Sequence, residues 1–228
     1  MFGLDQSLAH LSDGTTLVVV VLVAIALGLR HASDPDHLAA VTTLIASGDR
    51  APKAAGRLGC SWGLGHATSL FLFGLPIVLF KAYLPEPVQR AAETTVGLLI
   101  IGLAVWLLVR WRRGFFHPHA HGEPPRRTRS PLQAYGIGVV HGLGGSAGVG
   151  LLLLASIHNR GVAVLALALF AVFTAVSMAL LSTGWGLTLT RRPVARSFDR
   201  LVPALGLASF FFGVWYALGA LSLAPYFF

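Results

Sequence analysis

The sequence predicts an all-α polytopic membrane protein. Six transmembrane helices are expected as two inverted three-helix repeats, with the first helix of each repeat broken. Three observations carry this: an apolar composition, long uncharged runs, and an ordered match between the two halves of the chain. Of 228 residues, 55% are apolar and only 11% are Asp, Glu, Lys or Arg, against about 25% charged in a soluble domain. The mean hydropathy of +0.72 agrees.

In chain order the apolar runs are Gly14–Leu29, Leu58–Phe80, Thr94–Val109, Leu132–Ile157, Val162–Thr190 and Leu201–Phe228. Stretches of this length and polarity are read as membrane spans. The opening "MFGLDQSLAHLSDGTT" lacks the basic start of a cleaved signal peptide, so the first span is expected to remain in the mature protein. The first run has 16 residues, about 24 Å of helix at 1.5 Å per residue, against a hydrocarbon core of about 30 Å. The polar stretch that follows it must therefore help to complete the crossing.

The two halves match at an offset near 110. "ALGLRHA" (26–32) aligns with "GIGVVHG" (136–142), pairing Gly28 with Gly138 and His31 with His141. "HATS" (66–69) aligns with "TAVS" (174–177), Gly97 with Gly206, and "VW" (105–106) with "VW" (214–215). Three spans per half make the second repeat upside down relative to the first, the plan of many secondary transporters. A single transmembrane domain is expected, with repeat 1 at about 15–110, a loop at 111–131 and repeat 2 at about 132–228.

Charge follows the same plan. The net charge of +8 is concentrated in alternate connections, which hold 14 of the 17 Lys and Arg residues; Lys81, Arg90 and Arg160 are the others. The positive-inside bias predicts a multi-pass protein of the cytoplasmic membrane with both termini non-cytoplasmic. Nucleic acid is not an expected partner; the lipid bilayer is. Trp111, Trp215 and Tyr216 fall near predicted span ends, where interfacial anchoring is expected. Cys60 is the only cysteine, so a CxxC redox centre and an internal disulfide are excluded. No GxxxxGK[ST] occurs, so no ATPase is expected in this chain. No enzyme activity is expected and no cofactor. A homo-oligomer is compatible with the sequence.

"LRHASDPDHLAAV" (29–41) is the densest polar stretch inside an apolar region. Alignment with Leu132–Ile157 puts it in the middle of a span. An Asp there costs on the order of 2.5–3.5 kcal/mol, so Asp34 and Asp36 need partners. His31 and Asp34, three apart, share a helix face. His37, six on from His31, points about 240° around an unbroken helix. Pro35 lacks a backbone donor and disfavours helix at Asp34. A break there lets His31, Asp36 and His37 converge, while the Gly-rich "HGLGGSAGVG" (141–150) provides for a break in the second repeat. Imidazole and carboxylate together suit Ni, Co or Zn better than Mg or Ca. His66, mid-span in "GLGHATSL", is a further nitrogen, with Thr68 and Ser69 beside it. His141 is either a ligand or a residue bonded to a backbone carbonyl. The competing reading makes "DPD" a helix cap at the membrane surface, paired with Arg30.

"HASDPDH" and "LGHATS" resemble the paired motifs of the nickel/cobalt transporter (NiCoT/NicO) family, mainly over residues 25–80. With room for six spans, the chain is most similar to that family's short efflux or urease-accessory-like branch. The resemblance implies secondary transport of Ni²⁺ or Co²⁺ as substrate, with His31, Asp36, His37 and His66 at the metal. Asp34 is then a charge-compensating or orienting residue and His141 a candidate ligand. The family's later acidic motif has no Asp or Glu counterpart in "HGLGGSAG". His117, His119 and His121, in "FFHPHAHGEPPRRTRS", either buffer metal or are incidental to a solvated linker. The alternatives are a non-transporting accessory protein that delivers or senses metal for a nickel enzyme, and the same scaffold carrying another small solute.

Overall fold

The computed structural model describes residues 2–46, 51–81, 85–114, 129–144 and 148–225. These form eight helices in sequence: α1 (Phe2–His31), α2 (Pro35–Ala46), α3 (Pro52–Phe80), α4 (Glu86–Arg112), α5 (Pro131–His141), α6 (Gly148–Ala155), α7 (Arg160–Thr190) and α8 (Arg192–Ala220). Among the described residues there is no strand.

Proline stands in the first turn of α2, α3, α4, α5 and α8, where its missing N–H costs no intrahelical bond. At α5 the Ser130 side chain accepts from the Gln133 backbone N–H, and the Gln133 side chain accepts from the Ser130 N–H. This reciprocal cap satisfies two end donors. Asn159 caps α7 by accepting from Gly161 and Val162.

Four helices are each long and apolar enough to cross a membrane: α3, α4, α7 and the Ser197–Ala220 part of α8. Leu17–His31 and α2 together qualify as one further span, bent by 50° at Ala32–Asp34. The expected span Leu132–Ile157 falls on α5 and α6, whose connection at 145–147 lies outside the described residues. The His117/His119/His121 loop lies outside them too. Helix α1 begins at Phe2, ahead of the apolar run that opens at Gly14.

Long helices pair at close range. α3 lies along α7 and α4 along α8, while α5 rests on α3 and α1 on α7. The α3–α5 approach depends on glycine. A Cβ on Gly138 would collide with the backbone carbonyl oxygen of Trp62, and one on Gly65 with that of Tyr135. The α1–α7 approach has the same form: a Cβ on Gly28 would sit 2.7 Å from the Phe170 oxygen. Serine hydroxyls seal both contacts, Ser69 donating to the Val139 carbonyl at 2.7 Å and Ser177 to the Leu29 carbonyl at 2.6 Å. Between α4 and α8, Gly97 meets Ala217 and Gly206 meets the Leu108 side chain. The short helix α2 is held by α4, α7 and α8, its Val41, Leu44 and Ile45 buried in a core with Trp62, Leu107 and Phe198. Tyr216 corrects an expectation: it is buried at 2% exposure against Val96 and Ile100, not at an interface. Its i−4 neighbour Phe212 stacks on it at 6.0 Å between ring centres, so packing claims the ring.

Candidate metal centre

Helix α1 ends at His31, and the chain turns through Ser33, whose N–H bonds the Arg30 carbonyl, and Asp34, whose N–H bonds that of His31. Pro35 opens α2, and the Leu38 N–H reaches back to the Asp34 carbonyl at 3.0 Å. The break expected at Pro35 is therefore present, and it brings His31, Asp36 and His37 together. The His31 and His37 ring centres are 4.5 Å apart.

His66 is delivered from α3 and His141 from the last residue of α5. All four imidazoles and Asp36 are buried, none above 4% exposure. His31 Nε2 faces His66 Nε2 at 3.1 Å, and His141 Nε2 lies 3.1 Å from Asp36 Oδ2. The other Asp36 oxygen, Oδ1, lies 3.1 Å from His37 Nδ1. His141, whose own segment "HGLGGSAG" has no Asp or Glu, thus meets a carboxylate from the first half.

Two sets of three donors converge. His31, His37 and His66 form one set, and Asp36, His37 and His141 the other; within each, one ligand atom per residue lies within 4.8 Å of the others. His37 Nε2, His66 Nδ1 and His141 Nδ1 are buried with no hydrogen-bond partner among the described residues. A buried polar atom left unpaired costs about 1–3 kcal/mol, and such groups are rare without a functional reason. Nitrogen-rich donor sets with one carboxylate match borderline transition metals rather than Mg²⁺ or Ca²⁺.

Asp34 takes an outer role. Its Oδ2 accepts from His31 Nδ1 at 3.0 Å, leaving His31 Nε2 as the free donor atom, and its side chain is 20% exposed. Arg30 approaches Asp34 at 3.9 Å but is itself 78% exposed, so the surface-cap reading applies to Asp34 and not to Asp36. A carboxylate behind a ligating histidine fixes its ring and raises its basicity. Asp34→Asn is expected to weaken Ni²⁺ binding about tenfold without loss of fold, measured by isothermal titration in detergent.

One member of the site was not anticipated. The Trp62 ring lies 5.8 Å from His37 and 5.7 Å from His141, its Nε1 buried without a partner. Trp62 and His66 are one helical turn apart on α3, the spacing that puts two residues on one face; that was the available signal. Thr68 faces away and receives the Tyr135 hydroxyl at 3.2 Å.

Residues 17–125 match the NicO family, described as high-affinity nickel-transport protein. The chain is 26% identical over 215 residues to the urease accessory protein UreH of Bacillus sp. (strain TB-90), covering 90% of this chain and 92% of that one. It is 29% identical over 106 residues to a Methanocaldococcus jannaschii protein named for nickel/cobalt efflux, covering 46% of this chain and 48% of that one. No solved structure matches.

Proposed function

We propose that this chain, whose residues 17–125 match the NicO nickel-transport family, is a secondary transporter moving Ni²⁺ or Co²⁺ across the cytoplasmic membrane through the buried His/Asp centre. The observation that carries this is the convergence of His31, His37, His66, His141 and Asp36 at a helix break between membrane-length helices. A hydrated divalent ion cannot rest in hydrocarbon, and donors that replace its water make the crossing affordable. Imidazole and carboxylate must be deprotonated to bind, so binding releases protons. A helix broken at the site is the plan of discontinuous transporter helices.

In this reading the chain is one domain of two inverted repeats, and α5 with α6 is the sixth span. Paired contacts support it. Ser69–Val139 and Ser177–Leu29 are counterparts at the sequence offsets of 108 and 110, as are Gly138 on Trp62 and Gly28 on Phe170. Gly97 on Ala217 and Gly206 on Leu108 are counterparts at 109. The positive-inside bias puts both termini on the non-cytoplasmic side.

The urease accessory name of one relative favours a second reading, in which the protein binds nickel without carrying it. Proteoliposomes separate the two. A transporter gives saturable Ni²⁺ flux that Co²⁺ competes and Mg²⁺ does not; an accessory protein binds Ni²⁺ and moves none. Replacing His117, His119 and His121 together by alanine is expected to leave that flux within about threefold, since solvated histidine tracts hold metal loosely. A loss as deep as that from a centre substitution favours the accessory reading.

A further inference from the structure

Among the described residues the donors fall into two groups of three rather than one group of five. Two ligands of one ion, each about 2.1 Å from it, lie roughly 3.0–3.4 Å from one another. Two separate pairs already have this spacing: His31 Nε2 with His66 Nε2, and Asp36 Oδ2 with His141 Nε2, each at 3.1 Å. His37 completes both sets.

We propose that the centre holds the travelling ion at two successive positions that share His37: an all-imidazole position on His31, His37 and His66, and a carboxylate position on Asp36, His37 and His141. This rests on the transport reading for the hand-over, though not for the two positions themselves.

The two differ in chemistry. The first carries no charge on its ligands and is compensated at one remove, through the hydrogen bond from His31 Nδ1 to the partly exposed Asp34. The second has Asp36 in direct contact, with the side chains of Asp36, His37 and His141 exposed by 3% or less. An ion gains attraction as it passes from the first to the second, because opposite charges in a low-dielectric site interact strongly. Both sets are buried alike, no member above 4% exposed, and His37, common to both, keeps the ion bound as it changes sets. The positions also differ in origin. The first is built from α1, α2 and α3, whereas the second needs His141 from α5, so movement of α5 against α2 opens the second and spares the first.

The test uses Co²⁺ as probe, because its visible absorption reports ligand type, with the purified full chain and the variants His66→Ala and His141→Ala. His66→Asn and His141→Asn serve where alanine fails to give a monodisperse protein. Each variant is expected to bind one Co²⁺ with affinity within about tenfold of wild type. Their spectra should be distinct, three nitrogens in one and two nitrogens with an oxygen in the other, and the wild-type spectrum a sum of both. Co²⁺ flux should fall at least tenfold in both. A shared spectrum, or loss of Co²⁺ as complete as in His37→Ala, overturns the two positions in favour of one mixed site. Wild-type flux in either variant overturns the hand-over. Absence of flux in the wild type itself overturns the transport reading, and the two spectra still decide whether two positions exist.

Discussion

His37→Ala is expected to weaken Ni²⁺ binding at least about 100-fold, or about 2.7 kcal/mol. The reason is positional. His37 belongs to both donor sets, so its loss leaves two isolated pairs, His31 with His66 and Asp36 with His141, and no set of three. Its neighbours also lose contacts: the ring stacks on His31 and His141 at 4.5 Å and on His66 at 4.9 Å between centres. Asp36 loses one of its two histidine partners, yet His141 remains to hold it, so the fold is expected to persist. Isothermal titration checks the affinity and size-exclusion chromatography the fold. Binding within about threefold of wild type refutes the shared role of His37.

Gly138→Val is expected to act on the scaffold instead. A Cβ at this position collides with the Trp62 carbonyl oxygen and lies 2.9 Å from the His66 backbone nitrogen. Both are backbone atoms of α3, so no side chain can move aside. Relief requires α5 to back away from α3, which carries His141 away from His37 and breaks the Ser69–Val139 bond. Overpacking of this kind costs about 1–3 kcal/mol where side chains yield and more where backbone must shift. The expected result is a melting temperature lowered by about 10 °C or more, with metal affinity lost alongside. Gly136→Ala is the control, since nothing lies within 4 Å of a Cβ there. A thermal scan of the detergent-solubilised proteins decides between them. Equal melting of both variants contradicts the close α3–α5 approach.

The helix break was legible because proline at 35 and the polar pair around it state their own cost in an apolar span. The nitrogen donors His31, His37 and His66 were legible for the same reason. The partner of His141 was not. Asp36 and His141 are 105 residues apart, and what joins them is the depth to which α5 settles on α3 over Gly138 and Gly65. Local spacing carries no record of that depth. Trp62 was not read as part of the site because an apolar aromatic that faces the bundle reads as core, and only its turn relation to His66 favoured the site. Tyr216 misled in the opposite sense, since the preference of tyrosine for interfaces yields to a cavity that fits the ring.

The measurement that bears most directly on the central claim is radiolabelled Ni²⁺ flux into proteoliposomes, with wild type and His37→Ala reconstituted to equal density. Saturable flux in the wild type, reduced at least about 100-fold in the variant, is the predicted result. Equal flux in both would show that nickel crosses elsewhere in the molecule, and none in a folded wild type that binds Ni²⁺ would make the centre a receptor rather than a passage.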